Sequence, residues 1–142
     1  PQGPKVIEFN CRFGDPETEV VLPRLATDIY DIFSAVADHT PMPQIEWKKE
    51  VTMGFVMASK GYPGSYEKGY VIDGLEAVDG MIYHMGTAAK DGQIVTAGGR
   101  VLFVVAKGAT LADAHRKANE EVSKIECENL FHRTDIGHKA FK

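Results

Sequence analysis

Apolar and polar residues alternate in the run that decides the fold, Val6-Ile7-Glu8-Phe9-Asn10-Cys11-Arg12-Phe13-Gly14-Asp15-Pro16-Glu17. Successive side chains of a β-strand point to opposite faces, so the first half of this run predicts a strand. Glu8, Asn10 and Arg12 would share one face of it, and the apolar residues between them would share the other. A glycine and a proline follow, and this order predicts a strand, a tight turn and then a helix.

Two oxygen-bearing side chains on the polar face indicate a metal site. Glu8 and Asn10 are two strand positions apart, about 6.7 Å along the backbone, so both side chains can lean onto one cation. A carboxylate and an amide carbonyl are hard oxygen ligands, and Mg²⁺ usually takes one or two of these and fills its remaining positions with water and phosphate oxygens. Arg12 would stand beside the same phosphates. The alternative is an amphipathic strand whose polar face lies in water.

The residues after the turn predict a helix N-terminus. Pro16 suits the first helical position, and Asp15 before it is pushed toward the extended conformation of an N-cap residue. Glu17 adds negative charge to the first turn, where the helix dipole favours it. A helix start beside the carboxyl end of a strand is a common ligand site in α/β proteins. For Asp15 plain capping is the alternative, and for Glu17 a solvated carboxylate.

A second candidate binding element lies far along the chain, at Gly98-Gly99-Arg100. Two residues without side chains would let the backbone approach a ligand while Arg100 contacts a phosphate or a carboxylate. The alternative is a sharp bend between strands followed by a surface arginine. Elsewhere, Gly61-Tyr62-Pro63-Gly64 predicts a tight loop. Arg133 with Asp135 predicts a local ion pair, and the alternative is a contact with the rest of the protein.

Two helices are predicted between the first strand and residue 42. The first runs from Pro16 toward Pro23, which ends or kinks it. The second is capped by Thr27 or Asp28. Its apolar residues recur at helical spacing and we expect them to form a buried stripe: Ile29, Ile32, Phe33 and Val36. The proline-rich run at 39–43 ends this helix and predicts a stiff linker.

The pattern from residue 45 to residue 106 predicts an antiparallel sheet or a small barrel. The predicted strands are 50–58, 70–72, 81–85, 93–96 and 100–106, separated by the hairpin-type dipeptides Asp73-Gly74, Asp79-Gly80 and Asp91-Gly92. A helix follows from Thr110, with Asp113 completing a capping-box-like pair, and we expect it to cover one face of the sheet. Its predicted apolar stripe is Leu111, Ala114, Ala118, Val122 and Ile125.

Several stretches together resemble one enzyme family. The run from Glu8 to Glu17 is similar to the signature of the glycinamide ribonucleotide synthetases, the phosphoribosylamine–glycine ligases of the ATP-grasp superfamily. Stretches 61–64, 95–102 and 133–137 resemble the C-terminal region of that family in the same order. The resemblance therefore covers nearly the whole chain. Two positions depart from the family pattern: Glu19, where Gln or Met is usual, and Cys11, where Ala is common.

The resemblance implies an ATP-dependent ligase of purine biosynthesis that joins glycine to 5-phosphoribosylamine through phosphorylation of the glycine carboxylate. It implies Mg²⁺ or Mn²⁺ at Glu8 and Asn10, with ATP as co-substrate. Arg12 is the expected catalytic residue, because it would stabilise the carboxylate or the acyl phosphate electrostatically. The residues expected to bind substrate are Arg12, Asp15, Glu17, Gly98, Gly99 and Arg100.

The expected architecture is α+β in two parts. Residues 1–41 would be the end of an ATP-grasp domain, with the metal-binding strand and helices. Residues 42–142 would be a small antiparallel β module covered by a helix. The chain begins at Pro1 without an initiator methionine, and compared with the family it lacks the N-terminal portion expected to grip the nucleotide. We therefore expect a C-terminal fragment that is inactive alone and that has this portion as its partner.

Composition restricts the partners. A net charge of −4 gives no electrostatic reason to bind nucleic acid or an anionic membrane surface. The two cysteines have no metal-binding spacing and fit a reducing compartment, and the histidines form no metal-binding pattern. No apolar run approaches the length of a membrane span and the N-terminus is not signal-like, so we expect a cytoplasmic protein.

Three other functions remain open on the sequence. One is another ATP-grasp ligase, such as a biotin carboxylase or carbamoyl phosphate synthetase relative, although the run 13–17 argues against it. The second is a non-catalytic β-rich module that binds a small molecule or a partner. The third is a docking piece whose residues 6–11 pair with a strand outside the chain.

Overall fold

The computed structural model of the chain describes residues 3–9 and 11–141. Helix α1 covers Thr18–Val21 and continues into a 3-10 turn at Leu22–Arg24, and α2 covers Ile29–Ala37. The strands are β1 (Val51–Ser59), β2 (Met81–His84), β3 (Thr87–Lys90), β4 (Gln93–Thr96), β5 (Arg100–Gly108) and β6 (Leu130–Phe131), and α3 (Leu111–Val122) lies between the last two. Further 3-10 turns occur at Leu75–Ala77 and His138–Phe141.

Four of the strands form an open antiparallel sheet in the order β2-β5-β1-β6. The central pair is the longest: β1 and β5 pair from Val51 with Gly108 to Ala58 with Arg100, and the register shifts between Met57 and Ala58. Strands β3 and β4 form a separate hairpin. The predicted antiparallel sheet is therefore confirmed, and the small barrel that was its alternative is wrong because the sheets do not close.

The hydrophobic core lies between the four-stranded sheet and α3. Strand β5 is almost entirely buried, with Val101, Leu102 and Val104 inaccessible to solvent. Helix α3 packs on β5 and β1 and turns its buried stripe toward them: Ala114, Ala118 and Val122, followed by Ile125. Burial of this apolar surface is the main stabilising contribution to the module. The prediction that this helix covers one face of the sheet is confirmed.

Local capping explains where α3 begins. Thr110 is extended, with φ −130° and ψ 164°, and its hydroxyl accepts a hydrogen bond from the Asp113 amide at 3.2 Å. The Asp113 carboxylate accepts in return from the Ala109 amide at 3.2 Å. This arrangement resembles a capping box shifted by one residue. The predicted helix start is confirmed.

The described part of the N-terminal segment does not form the predicted strand. Residues 3–9 have irregular backbone and form no β-bridge with another described segment. A strand needs a neighbour to receive its backbone hydrogen bonds, and the side chains of Val6, Ile7 and Phe9 are exposed instead of packed. The strand prediction is therefore wrong for these residues, because alternation shows which side chains share a face but supplies no pairing partner.

Helix α2 begins as predicted, but its apolar stripe is not buried. Asp28 has an extended backbone, and its carboxylate accepts a hydrogen bond from the Tyr30 amide at 2.8 Å. Phe33 is 53% exposed and Val36 is 60% exposed, while Ile32 is half-buried. Helical spacing identifies a common face, yet no element of the described chain packs extensively against that face. The prediction of a buried stripe is wrong for Phe33 and Val36.

The short strands and turns of the β-rich part differ most from the sequence prediction. The predicted strand at 70–72 is reduced to an isolated bridge of Val71 with Val95. Asp73-Gly74 leads into a 3-10 turn in place of a hairpin, whereas Asp91-Gly92 forms the predicted hairpin with φ of 50° and 79°. In the described part of the chain, no helix is both long and apolar enough to cross a membrane.

Candidate functional site

An ion pair joins the N-terminal segment to the sheet. The guanidinium of Arg100, at the start of β5, donates to the two carboxylate oxygens of Asp15 at 3.1 and 3.4 Å and to the Asp15 carbonyl oxygen at 3.2 Å. The arginine side chain is 36% exposed and the aspartate 50% exposed. Two residues predicted to bind substrate therefore lie together, although they are 85 positions apart in the sequence.

This ion pair explains why Asp15 is not a helix cap. Helix α1 starts at Thr18 instead of Pro16, and no side chain caps it. The Thr18 amide and hydroxyl both bond the Gly14 carbonyl oxygen, at 2.9 and 2.6 Å. The capping prediction for Asp15 is wrong, because its carboxylate is held by Arg100.

The ion pair lies at a cleft of about 400 Å³. Four of the lining residues belong to the predicted substrate-binding set: Asp15, Gly98, Gly99 and Arg100. The other lining residues are Glu19, His84, Met85 and Gly86. The structure thus brings two distant predicted motifs, the Asp-Pro turn and the Gly-Gly-Arg run, into one place.

The glycines of this cleft are required by a close approach of two backbone segments. A Cβ atom on Gly98 would lie 3.1 Å from the Cα of Gly86, and a Cβ atom on Gly99 would overlap the Tyr62 ring. The Ser59 amide fixes the bend by donating to the Gly99 carbonyl oxygen at 2.8 Å. The Gly98-Gly99-Arg100 run therefore forms a bend between strands, and its residues also line the smaller cleft.

Arg100 also lines a larger, mostly apolar cleft of about 610 Å³. Glu17, another predicted substrate-binding residue, lies in this second lining together with Val20 of α1 and Phe103 of β5. The loop 61–64 contributes Tyr62 and Pro63, and the predicted tight turn is confirmed by a hydrogen bond of 2.8 Å from the Gly64 amide to the Gly61 carbonyl oxygen. The two clefts share Arg100.

Glu8, one of the two predicted metal ligands, lies on the N-terminal segment near Arg12. Glu8 and Arg12 are both exposed, and Arg12 donates to the Phe13 carbonyl oxygen at 3.0 Å. Neither lines the two clefts, and Asn10 lies outside the described residues. Among the residues that are described, no group of three or more His, Cys, Asp or Glu side chains is arranged to hold a metal ion. The metal assignment remains a prediction.

Further contacts are made by Arg133, Asp135 and His115. Arg133 and Asp135 form the predicted ion pair, with distances of 2.8 and 2.6 Å between guanidinium nitrogens and carboxylate oxygens. The hydrogen bond from Arg133 is the main reason that the pKa of Asp135 is lowered. His115 packs edge-on against Phe55, with ring centroids 5.3 Å apart.

Two titratable residues of the smaller cleft lie outside the predicted site. Glu19 follows the family-like run by two residues, but its side-chain position depends on how α1 packs against the sheet. His84 enters the cleft through the pairing of β2 with β5, and its Nδ1 lies 2.9 Å from the Thr87 hydroxyl. Burial, and secondarily the charge of Glu19, raises the pKa of the neighbouring Tyr83.

The fold and the two clefts define a small α+β module with a candidate ligand site at one end of its sheet. The model of the phosphoribosylglycinamide synthetase C domain matches residues 52–139, and the chain belongs to this family.

Named relatives resemble the chain over nearly its whole length. The phosphoribosylamine–glycine ligase of Halalkalibacterium halodurans is 50% identical over 140 residues, which is 97% of this chain and 32% of the ligase. The ligase of Caldanaerobacter subterraneus is 47% identical over 95% of this chain and 33% of its own length. The crystal structure of the Thermotoga maritima ligase matches with a TM-score of 0.81 at 35% identity, over 92% of this chain and 32% of its own. The chain spans about a third of the length of the curated relatives it matches.

Proposed function

We propose that this chain provides the C-terminal part of a phosphoribosylamine–glycine ligase. The observation that carries the proposal is the length of the match, since 97% of the chain aligns with such a ligase at 50% identity. The family model starts at residue 52, so the similarity to the whole ligase extends well beyond the C domain. It includes most of the segment that holds the predicted metal residues.

The proposed reaction joins glycine to 5-phosphoribosylamine and consumes ATP. A glycine carboxylate oxygen attacks the γ-phosphorus of ATP, which forms glycyl phosphate and releases ADP. The amine of phosphoribosylamine then attacks the acyl carbon, loses a proton and expels inorganic phosphate as the amide bond forms. Negative charge builds up on oxygen atoms in both steps, so the protein must supply positioning and electrostatic stabilisation.

Glu8 and Asn10 are the residues that we propose as ligands of a divalent cation, Mg²⁺ or Mn²⁺. A carboxylate and an amide carbonyl are the hard oxygen donors that such cations prefer. The Glu8 side chain is exposed, which suits a ligand that shares its ion with substrate phosphates. When bound, the cation would neutralise charge on the phosphate oxygens.

Arg12 is the proposed catalytic residue, and its guanidinium would stabilise the glycine carboxylate and the acyl phosphate. The residues proposed to bind substrate are Arg12, Asp15, Glu17, Gly98, Gly99 and Arg100. The cleft shared by Asp15, Gly98, Gly99 and Arg100 supports a common substrate site for these four residues. Glu17 reaches the adjoining cleft that Arg100 also lines.

The remaining two-thirds of the ligase is the partner that we propose. Large apolar side chains are exposed along the whole N-terminal part of the described chain: Val6, Ile7, Phe9, Phe13, Val21, Tyr30, Phe33, Val36, Met42, Ile45 and Trp47. Exposed apolar surface of this extent marks an interaction site. A helix of nine residues such as α2 is also too short to be stable in water without packing. We propose that residues 1–41 complete an ATP-grasp domain of the partner and that residues 42–142 form the appended β-rich domain.

We propose a cytoplasmic location for this ligase. Cys11 and Cys127 are both free thiols, and free thiols persist in a reducing compartment. The proposed consumption of ATP fits the same compartment.

A chimaera tests the proposed function. This chain replaces the matching third of the Halalkalibacterium halodurans ligase, and ADP release is measured with glycine and phosphoribosylamine together and with either omitted. We expect ADP release that requires both substrates. A chimaera that unfolds as cooperatively as the parent ligase, yet releases no ADP, would contradict the proposal.

A further inference from the structure

We infer that the Asp15–Arg100 ion pair fixes the direction in which the preceding segment, which carries Glu8 and Arg12, leaves the smaller cleft. The inference rests on the proposed function, because it concerns the same site. It assigns Arg100 a role that acts through Asp15, in addition to any contact with substrate. The pair would thereby join the two halves of the site, one on the N-terminal segment and one on the sheet.

The geometry fixes the backbone of Asp15 as well as its side chain. Arg100 bonds both carboxylate oxygens and the carbonyl oxygen of Asp15, so a planar guanidinium holds three atoms of one residue. Arg12 lies only three residues before this anchored position. The contact therefore restricts where the preceding segment can run.

The other end of the pair is rigidly held by the sheet. Arg100 pairs with Ala58 at the irregularity between β1 and β5, where the register shifts. The next residue of β5, Val101, is fully buried. Because the backbone of Arg100 is held by the sheet, its side chain holds Asp15 at a fixed position relative to the sheet.

The solvent exposure of the Asp15–Arg100 pair allows a positioning role to be distinguished from a role in folding stability. Both side chains are at least one-third exposed, and exposed ion pairs contribute little to folding free energy. Catalysis is far more sensitive to position, since a displacement of about 1 Å can lower a rate by about a hundredfold. Breaking the pair should therefore affect the reaction much more than the unfolding transition.

The first measurement requires no ligase activity. A nitroxide is attached to the exposed Cys11 of the 142-residue chain, with Cys127→Ala to leave one thiol. Cys11 lies four residues from Asp15, at most about 14 Å along the chain, so the label should broaden amide signals around Gly98 and Gly99. We expect this broadening to be lost or clearly weakened in Asp15→Asn and Arg100→Gln.

Arg116→Gln is the matched control for that measurement. Arg116 is also an exposed arginine in ion pairs, with Asp113 and Glu120 on α3. It should leave the broadening of the cleft amides unchanged. Equal broadening in the Arg100→Gln and unsubstituted chains, or none in the unsubstituted chain, overturns the inference.

The second measurement uses the active chimaera. Asp15→Asn and Arg100→Gln should each lower kcat by about tenfold or more, with much smaller changes in KM. The double variant should lose no more than the worse single variant, because both changes break the same contact. Arg100→Lys should restore part of kcat, since an ammonium group still reaches a carboxylate but loses the forked geometry.

These outcomes separate the inference from the proposed function. A rise in KM with unchanged kcat, or additive losses in the double variant, overturns the positioning role in favour of substrate contact alone. A chimaera without activity, together with the expected loss of nitroxide broadening, supports the positioning of the segment and counts against the ligase assignment.

Discussion

The Ser59 hydroxyl donates to the carbonyl oxygen of Gly98 at 2.8 Å, from a side chain that has no exposed surface. The amide of the same serine donates to the Gly99 carbonyl oxygen at the same distance. One residue at the end of β1 therefore satisfies two consecutive carbonyl groups of the Gly-Gly bend. The shape of the smaller cleft depends on this strand residue, which no motif marks.

Ser59→Ala should lower the free energy of unfolding by about 1 kcal/mol, because it removes the hydrogen bond between a fully buried hydroxyl and a partly buried carbonyl group. Urea unfolding of the 142-residue chain measures this change. Ser65→Ala, at an exposed loop position, is the control and should change the free energy by less than about 0.5 kcal/mol. Equal effects of the two substitutions would show that the Ser59 contact does not support the bend.

Gly86→Ala should destabilise the chain by about 1–3 kcal/mol through overpacking. The added methyl group would meet the backbone of Gly98 and of Arg100, which cannot move aside as a side-chain tip can. Gly64→Ala is a milder control, since its nearest neighbour is a single carbonyl oxygen at 3.2 Å. Thermal unfolding compares the two variants, and a Gly86→Ala protein as stable as Gly64→Ala would contradict the close approach at this cleft.

Asp113 should make the stability of α3 dependent on pH. The hydrogen bond from Lys117 is the main reason that the pKa of Asp113 lies below its ordinary value of 3.8. A carboxyl group with a lowered folded pKa stabilises the fold above its unfolded pKa, and this contribution is lost as the pH falls through the folded value. Asp113→Asn should therefore flatten the loss of unfolding free energy below about pH 4.

Urea unfolding across the acidic range checks that expectation. Asp91→Asn in the β3–β4 turn is a suitable control, because asparagine tolerates the positive φ of 50° found there. The control should keep the acid dependence of the unsubstituted chain. The same flattening in both variants would mean that the Asp113 contacts are not its source.

Phe33→Asp combined with Val36→Asp should leave the isolated chain almost as stable as before, within about 0.5 kcal/mol, because both side chains are exposed there. The same change should weaken binding to the remaining two-thirds of the ligase, supplied as a separate polypeptide, by about thirtyfold or more. Titration calorimetry measures the affinity, with Asp31→Asn on the same helix as control. Unchanged affinity would show that this face of α2 is not part of the interface.

Glu8→Gln and Asn10→Ala should each raise the Mg²⁺ concentration that gives half-maximal ligase activity in the chimaera. Glu8→Gln removes the negative charge of the ligand and Asn10→Ala removes an oxygen donor, and little effect on folding is expected at an exposed position such as Glu8. Glu50→Gln, another exposed glutamate, is the control. A double variant with the normal metal dependence would refute the metal assignment.

The sequence predicted those elements whose signals are local. Thr110 with Asp113 marks the start of α3, Asp28 caps α2, and the Asp91-Gly92 turn sets the β3–β4 hairpin. Each depends on residues within a few positions of one another. The two long strands, β1 and β5, were also predicted, because their apolar runs are continuous and bounded by turn residues.

The failures involve relationships between distant residues. Capping rules favoured Asp15 as a cap, but they contain no information about an arginine 85 positions away. Strand β6 has only two residues and is defined by its pairing with β1. The stripe of α2 was correctly periodic, yet the burial of Phe33 and Val36 requires a partner that periodicity does not specify.

Part of the lining of the smaller cleft coincides with residues selected from the sequence, but the geometry of the cleft was not predicted. Asp15 and the Gly98-Gly99-Arg100 run are two separate motifs in the sequence, and they line one cleft. Their mutual contacts, and the inclusion of His84, follow from strand pairing that no short motif encodes. The metal residues Glu8 and Asn10 stay predictions, since Asn10 lies outside the described part of the chain.

The most direct test of the central claim follows oxygen atoms through the reaction of the chimaera. Glycine labelled with ¹⁸O in its carboxylate is supplied with ATP and phosphoribosylamine, and the released phosphate is analysed by mass spectrometry. If this chain completes a phosphoribosylamine–glycine ligase that works through glycyl phosphate, one phosphate is released for each amide bond formed, and that phosphate carries one labelled oxygen from glycine. Phosphate released without the label would contradict the account.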